Sequence, residues 1–182
     1  MNVVFVTSNA HKAKYFSELI GHDIQHESVD MPEIQSLDVD EVVTAKAKAA
    51  YELIKQPVIV EDTSLVIRAM GRLPGTFIKW FLDELGPEGL CSLADADPAR
   101  SAIASATFAY YDGNHLRLFT GSLAGTIAKM PLGESGFGWN RVFIPEGSTL
   151  TLGQMDEAAF KKEYMKIKHF AAVKEFIDNL KP

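Results

Sequence analysis

Apolar positions open the chain as an unbroken run. Val3, Val4, Phe5 and Val6 stand between Asn2 and Thr7 and are stopped by Ser8 and Asn9, which predicts a strand buried on both faces. From Ala10 to Ile20 the apolar residues return at helical spacing and Gly21 closes the segment. Asp23–Val29 reads as a second strand and leads into an acidic loop holding Asp30, Pro32 and Glu33. Asp38 or Asp40 is the expected N-cap of an Ala-rich helix reaching about Lys55. After Pro57, Val58-Ile59-Val60 predicts a central strand with Glu61, Asp62, Thr63 and Ser64 at its carboxyl end.

The second half alternates differently. Gly71, Pro74 and Gly75 mark a tight loop before a helix at Phe77–Leu82, and Pro87 opens a short helix ending near Leu93. Ala102–Tyr111 and His115–Ser122 read as strands joined at Asp112-Gly113-Asn114, with Gly125–Ala128 extending the meander. A loop rich in Gly133, Ser135, Gly136 and Gly138 precedes a short strand around Val142–Ile144. Phe170, Val173, Ile177 and Leu180 fall on one face of a final helix. The expected fold is α/β: a mixed, twisted central sheet with flanking helices. No repeat or linker interrupts residues 1–182, so a single domain of two lobes is expected.

Composition narrows the possibilities. The 182 residues are 47% hydrophobic and 23% charged, an ordinary balance for a globular chain. The formal net charge of −6 disfavours binding to a nucleic acid polymer, which requires a broad basic surface. A small anionic ligand stays compatible with it, because a few clustered lysines make a site locally positive. The first apolar run is too short for a membrane span or a signal-peptide core. One cysteine, Cys91, allows no internal disulfide; its leucine neighbours suggest a buried thiol, and the expected location is cytoplasmic.

Four stretches carry candidate chemistry. Thr7, Ser8, Asn9 and Lys12 border a helix start, an arrangement that either seats an anion or caps the helix. Glu61 and Asp62 are adjacent acids near the core; carboxylates suit a hard divalent cation and can take a proton from water. In extended chain their side chains point oppositely, so the two do different jobs. Lys46, in the Ala-rich helix, and Lys79, beside Ile78, Trp80 and Phe81, are ammonium groups in apolar neighbourhoods, which need an anion or a path to solvent. Gly136-Phe137-Gly138-Trp139-Asn140 offers aromatic faces and an amide, either for a planar base or as cover for the core.

In this order the stretches resemble the inosine triphosphate pyrophosphatase family. The resemblance rests on Val4–Lys12, Val60–Leu65, Leu73–Phe81 and Gly136–Trp139. It implies two lobes around a nucleotide cleft, usually in a homodimer, and hydrolysis of non-standard purine nucleoside triphosphates to monophosphate and pyrophosphate with Mg2+. The implied roles are phosphate binding for Thr7, Ser8, Asn9, Lys12, Lys46 and Lys79, metal binding for Glu33 and Asp62, and catalysis for Asp62 assisted by Glu61. Phe137, Gly138, Trp139, Asn140 and His169 are the implied base contacts. Mn2+, which also accepts oxygen ligands, is the alternative ion. The chain departs from the family pattern at Ser8, where glycine is usual, and at Asn140, where aspartate is common. The family's Ser-His-Arg has no clean match in Lys166-Ile167-Lys168-His169-Phe170, where His169 falls on either the histidine or the arginine, so an altered base preference, or a nucleotide-binding protein with little catalysis, is the competing expectation.

Overall fold

The structure is a computed structural model and describes residues 3–134 and 138–180. Its sheet runs β2-β1-β3-β5-β6-β7, with β4 paired to β3 outside this order. The strands are β1 (Val4–Val6), β2 (Gln25–Glu27), β3 (Val58–Ile67), β4 (Pro74–Gly75), β5 (Ser101–Tyr111), β6 (Leu116–Ile127) and β7 (Phe143–Pro145). The helices are α1 (Ala10–Ile20), α2 (Val39–Ile54), α3 (Ile78–Leu93), α4 (Glu157–Lys168) and α5 (Phe170–Asn179). Parallel β1–β2 and β1–β3 pairs and antiparallel β3–β4 and β6–β7 pairs make the sheet mixed, as the sequence implied. No described helix is long and apolar enough to cross a membrane.

The chain divides into two compact units. The first comprises residues up to Asp62, Thr107–Thr120 and the residues from His169 onward. Its core follows from strand alternation. Phe5 stacks on Phe16 of α1 with ring centroids 4.0 Å apart, and Phe108 and Phe170 complete that side. Val4, Val6, Val58, Val60 and Ala109 instead pack with Val43, Ala47 and Ala50 of α2. Successive residues of β1 and β3 therefore serve different helices.

The second unit comprises Thr63–Ala106 and Gly121–Lys168. Leu65, Ile67, Leu90, Cys91, Ala104, Val142, Phe143 and Leu152 are buried within it. Arg100 ties its parts together: the guanidinium donates to the carbonyls of Cys91, Ile127 and Ala128 and pairs with Asp95.

Several expected boundaries move. Glu61 and Asp62 lie inside β3 rather than beyond it, because Leu65 and Val66 continue the strand by pairing with Gly75 and Pro74. The parallel pairing with β1 ends earlier, at Phe5–Ile59, so the two acids still fall just past the last β1 partner. The expected strand 23–29 shortens to Gln25–Glu27, and β6 runs unbroken through Gly125 to Ile127. The two helices expected after Gly75 are the halves of α3, separated at Gly86, whose φ of 66° and ψ of 177° leave the helical region. Helix α4 was not marked by apolar spacing, since only Phe160 and Ile167 among its apolar residues are buried.

Candidate active site

At the end of β1 the backbone turns directly into α1. Thr7 accepts a hydrogen bond from the Asn9 amide at 3.1 Å, and Asn9 caps α1 by accepting from the His11 and Lys12 amides at 3.0 and 3.2 Å. Asn9 thus serves the helix start, the capping alternative of the sequence reading. Ser8 is exposed beside it. A ring N–H of His26 on β2 donates to the Thr7 carbonyl at 2.8 Å, a support that the sequence analysis missed.

Lys12 and Phe16 lie four residues apart, on one side of α1. Phe16 covers Phe5, the register partner of Ile59, and so Lys12 falls over the next inward position of β3, Glu61. The Lys12 ammonium stands 3.3 Å from the Glu61 carboxylate, whose side chain is only 1% exposed. Asp62 projects to the other side, with Val58 and Val60, toward α2. There Lys46, following the buried Val43 by three residues, brings its ammonium within 3.6 Å of Asp62 and 2.5 Å of Glu33. Glu33 reaches in from the loop before α2 and stays largely exposed. Two acids of opposite orientation are in this way served by two lysines from different helices.

Three carboxylates face two ammonium groups, and the ionisation follows from that imbalance. Burial pushes the Asp62 carboxyl above the usual carboxylate range; Lys12 and Lys46 pull it down, while Glu33 and Glu61 push it further up. Burial alone would lower the Lys46 ammonium, but Asp62, Glu33 and Glu61 outweigh it and raise the group above the ordinary lysine value. An isolated ion pair would lower its acid while raising its base. Here both rise, because burial outweighs the two lysines at Asp62 and two other acids add to it. Lys46 is held in its charged form, and Asp62 binds a proton more readily than an ordinary carboxylate.

Glu33 and Asp62 are hard oxygen donors in a region with one carboxylate in excess, a donor set that fits Mg2+ or Mn2+. Among the described residues no three acidic, histidine or cysteine side chains converge as a ready-made metal cage. A cation held here therefore needs oxygen ligands from water or substrate as well.

Of the remaining expected residues, Lys79, Gly138, Trp139 and Asn140 lie in the second unit and His169 in the first. Lys79, in the first turn of α3, is exposed and stands 5.8 Å from the ring centroid of Trp80, itself 59% exposed. Its apolar sequence neighbours do not enclose it: Ile78 is buried and Phe81 half-buried, but Trp80 stands in solvent. Gly138, Trp139 and Asn140 form a single 3-10 turn; Trp139 packs edge-on against Phe143, and Asn140 is buried. Phe137 lies outside the described residues. His169 has left-handed backbone, φ 51°, and one ring nitrogen 3.1 Å from the Thr120 carbonyl. It occupies the break between α4 and α5 rather than a helix surface.

The burial of one lysine escaped the sequence reading. Lys168, at the end of α4, is 4% exposed with its ammonium 4.8 Å from the Tyr164 ring centroid. An aromatic residue four positions before a helical lysine was the available signal.

Comparison with known proteins agrees with this architecture. Residues 3–178 match the Ham1 family, and the chain belongs to it. An inosine triphosphate pyrophosphatase of Yarrowia lipolytica is 41% identical, covering 97% of this chain and 96% of that protein. One from Schizosaccharomyces pombe is 42% identical over 86% of this chain and 84% of its own length. A Ham1 protein structure from Coxiella burnetii superposes with a TM-score of 0.82 at 23% identity, covering 98% of each chain, which establishes likeness of fold.

Proposed function

We propose that this chain hydrolyses nucleoside triphosphates, in particular non-standard purine nucleotides such as ITP, XTP and dITP, to the monophosphate and pyrophosphate. The observation that carries the reading is the gathering of Lys12, Lys46, Glu33 and Asp62 around the carboxyl end of β1 and the neighbouring part of β3. The full-length likeness to two inosine triphosphate pyrophosphatases supports the substrate class.

Chemically, water adds across the bridge between the α- and β-phosphates. One new P–O bond forms, the bridging bond breaks, and a proton leaves the attacking water. Asp62 is assigned that proton, its raised affinity for protons suiting the task. Lys12 and Lys46 hold the phosphate oxygens and offset the charge that develops on them. At about 4 Å and an effective dielectric near 20, each ammonium contributes about 4 kcal/mol of attraction before desolvation is subtracted. Thr7, Ser8 and Asn9 shape the turn under the phosphates, and Lys79 is a further phosphate ligand. Glu33 and Asp62 would hold Mg2+, or Mn2+ in its place. Bound there, the ion polarises phosphate oxygens and neutralises part of the triphosphate charge. Phe137, Gly138, Trp139, Asn140 and His169 are proposed to meet the base. The proposed assembly is a cytoplasmic homodimer.

Incubating the purified protein with Mg2+ and a panel of standard and non-standard triphosphates, and scoring pyrophosphate against orthophosphate, tests the reading. Pyrophosphate from ITP, XTP or dITP is the expected result. Its absence with every triphosphate, alongside measurable nucleotide binding, would leave a binding protein instead. Asp62→Asn is expected to abolish release while far-UV circular dichroism stays unchanged; unaltered turnover would remove Asp62 from the mechanism.

A further inference from the structure

We infer that Glu61 is a positioning residue whose task is to fix the ammonium of Lys12, and that it takes no proton from the reaction itself. The inference rests on the proposed triphosphate hydrolysis and divides the labour between two neighbouring acids. Glu61 is 3% exposed and its carboxylate lies 3.3 Å from Lys12, whereas Asp62 keeps more contact with solvent and faces Lys46. Strand alternation forces the division: Glu61 shares the side of Ile59 and α1, and Asp62 that of Val60 and α2.

A lysine side chain has four rotatable bonds and loses that freedom when it meets a ligand. Anchoring Lys12 to a buried carboxylate removes the freedom beforehand, so the ammonium is already oriented when a phosphate arrives.

A double-mutant cycle separates positioning from direct catalysis. Lys12→Met, Glu61→Gln and the double variant are compared by kcat/KM for pyrophosphate release from ITP, with thermal midpoints recorded in parallel. If Glu61 acts through Lys12, Glu61→Gln loses roughly 10- to 100-fold by analogy with other lost electrostatic contacts, and the double variant loses no more than Lys12→Met alone. Multiplying losses, or full turnover in Glu61→Gln, overturn the proposal. Glu61→Asp keeps the charge and shortens the reach; should Glu61→Gln fold poorly, its effect must likewise vanish in the Lys12→Met background. The same cycle run on binding of inorganic tripolyphosphate keeps the two readings apart. Coupled losses of tripolyphosphate binding in a protein that hydrolyses nothing would sink the proposed function and retain the positioning role. Independent losses in both assays would sink the positioning role alone.

Discussion

Cys91 shows how a residue's surroundings decide its chemistry. Burial raises its thiol above the ordinary range; Arg100 opposes this, while Glu88 and Asp95 add to it. The thiolate is the nucleophile, so the folded protein is expected to resist iodoacetamide at pH 8 and to take one equivalent in denaturant, as read by mass spectrometry. Gly133 is constrained by contact rather than charge. Its φ is +89°, and a Cβ there would fall 2.1 Å from the Gly153 carbonyl oxygen. Gly133→Ala is therefore expected to cost about 1–3 kcal/mol, measured as a lower urea midpoint at unchanged slope. The sequence marked Gly133 only as part of a glycine-rich loop, and the close approach of Gly153 is what requires glycine there.

Between elements, the joining of α1 to α5 combines apolar and polar contacts. Phe16 is fully buried against Phe5, Phe108 and Phe170, so Phe16→Ala is expected to destabilise the fold by about 3–5 kcal/mol in denaturant titration. Just past α1, His22 meets Asp178 of α5 at 2.5 Å, and Lys174 donates to the Ile20 carbonyl. The hydrogen bond from His22, helped by Lys174, holds the Asp178 carboxyl below the usual range. A lowered folded-state value stabilises above the unfolded carboxylate value, and that contribution disappears as pH falls through the folded one. Asp178→Asn should accordingly lower the thermal midpoint at neutral pH and converge with the parent once the pH has fallen through the lowered carboxyl value. The main elements were legible in the sequence because caps and apolar period agree: Asn9 and Gly21 bound α1, and Asp38 and Lys55 bound α2. Helix α4 was not, because its inward side includes Lys168 among few apolar residues.

Over the whole molecule, a net charge of −6 coexists with a local gathering of lysines, which is why composition excluded less than the motifs supplied. The opposite orientation of Glu61 and Asp62 followed from strand geometry alone. Which lysine each acid meets did not, since that depends on how α1 and α2 lie over the sheet. The apolar enclosure expected around Lys79 is absent for a related reason: sequence neighbours reveal enclosure only when they share a buried side, and Trp80 faces solvent. Glu33 was legible through family resemblance alone, because a loop carries no periodicity to place a side chain.

That two-sided strand sets a rule of length. Adding or deleting one residue between Ile59 and Glu61 would exchange the facings of both acids at a stroke, turning Asp62 toward α1 and its neighbour toward α2. Chain-length variants should therefore be tolerated in the segment after Glu33 and before Asp38 far more readily than in this stretch, where parity, beyond side-chain identity, decides which helix each acid meets.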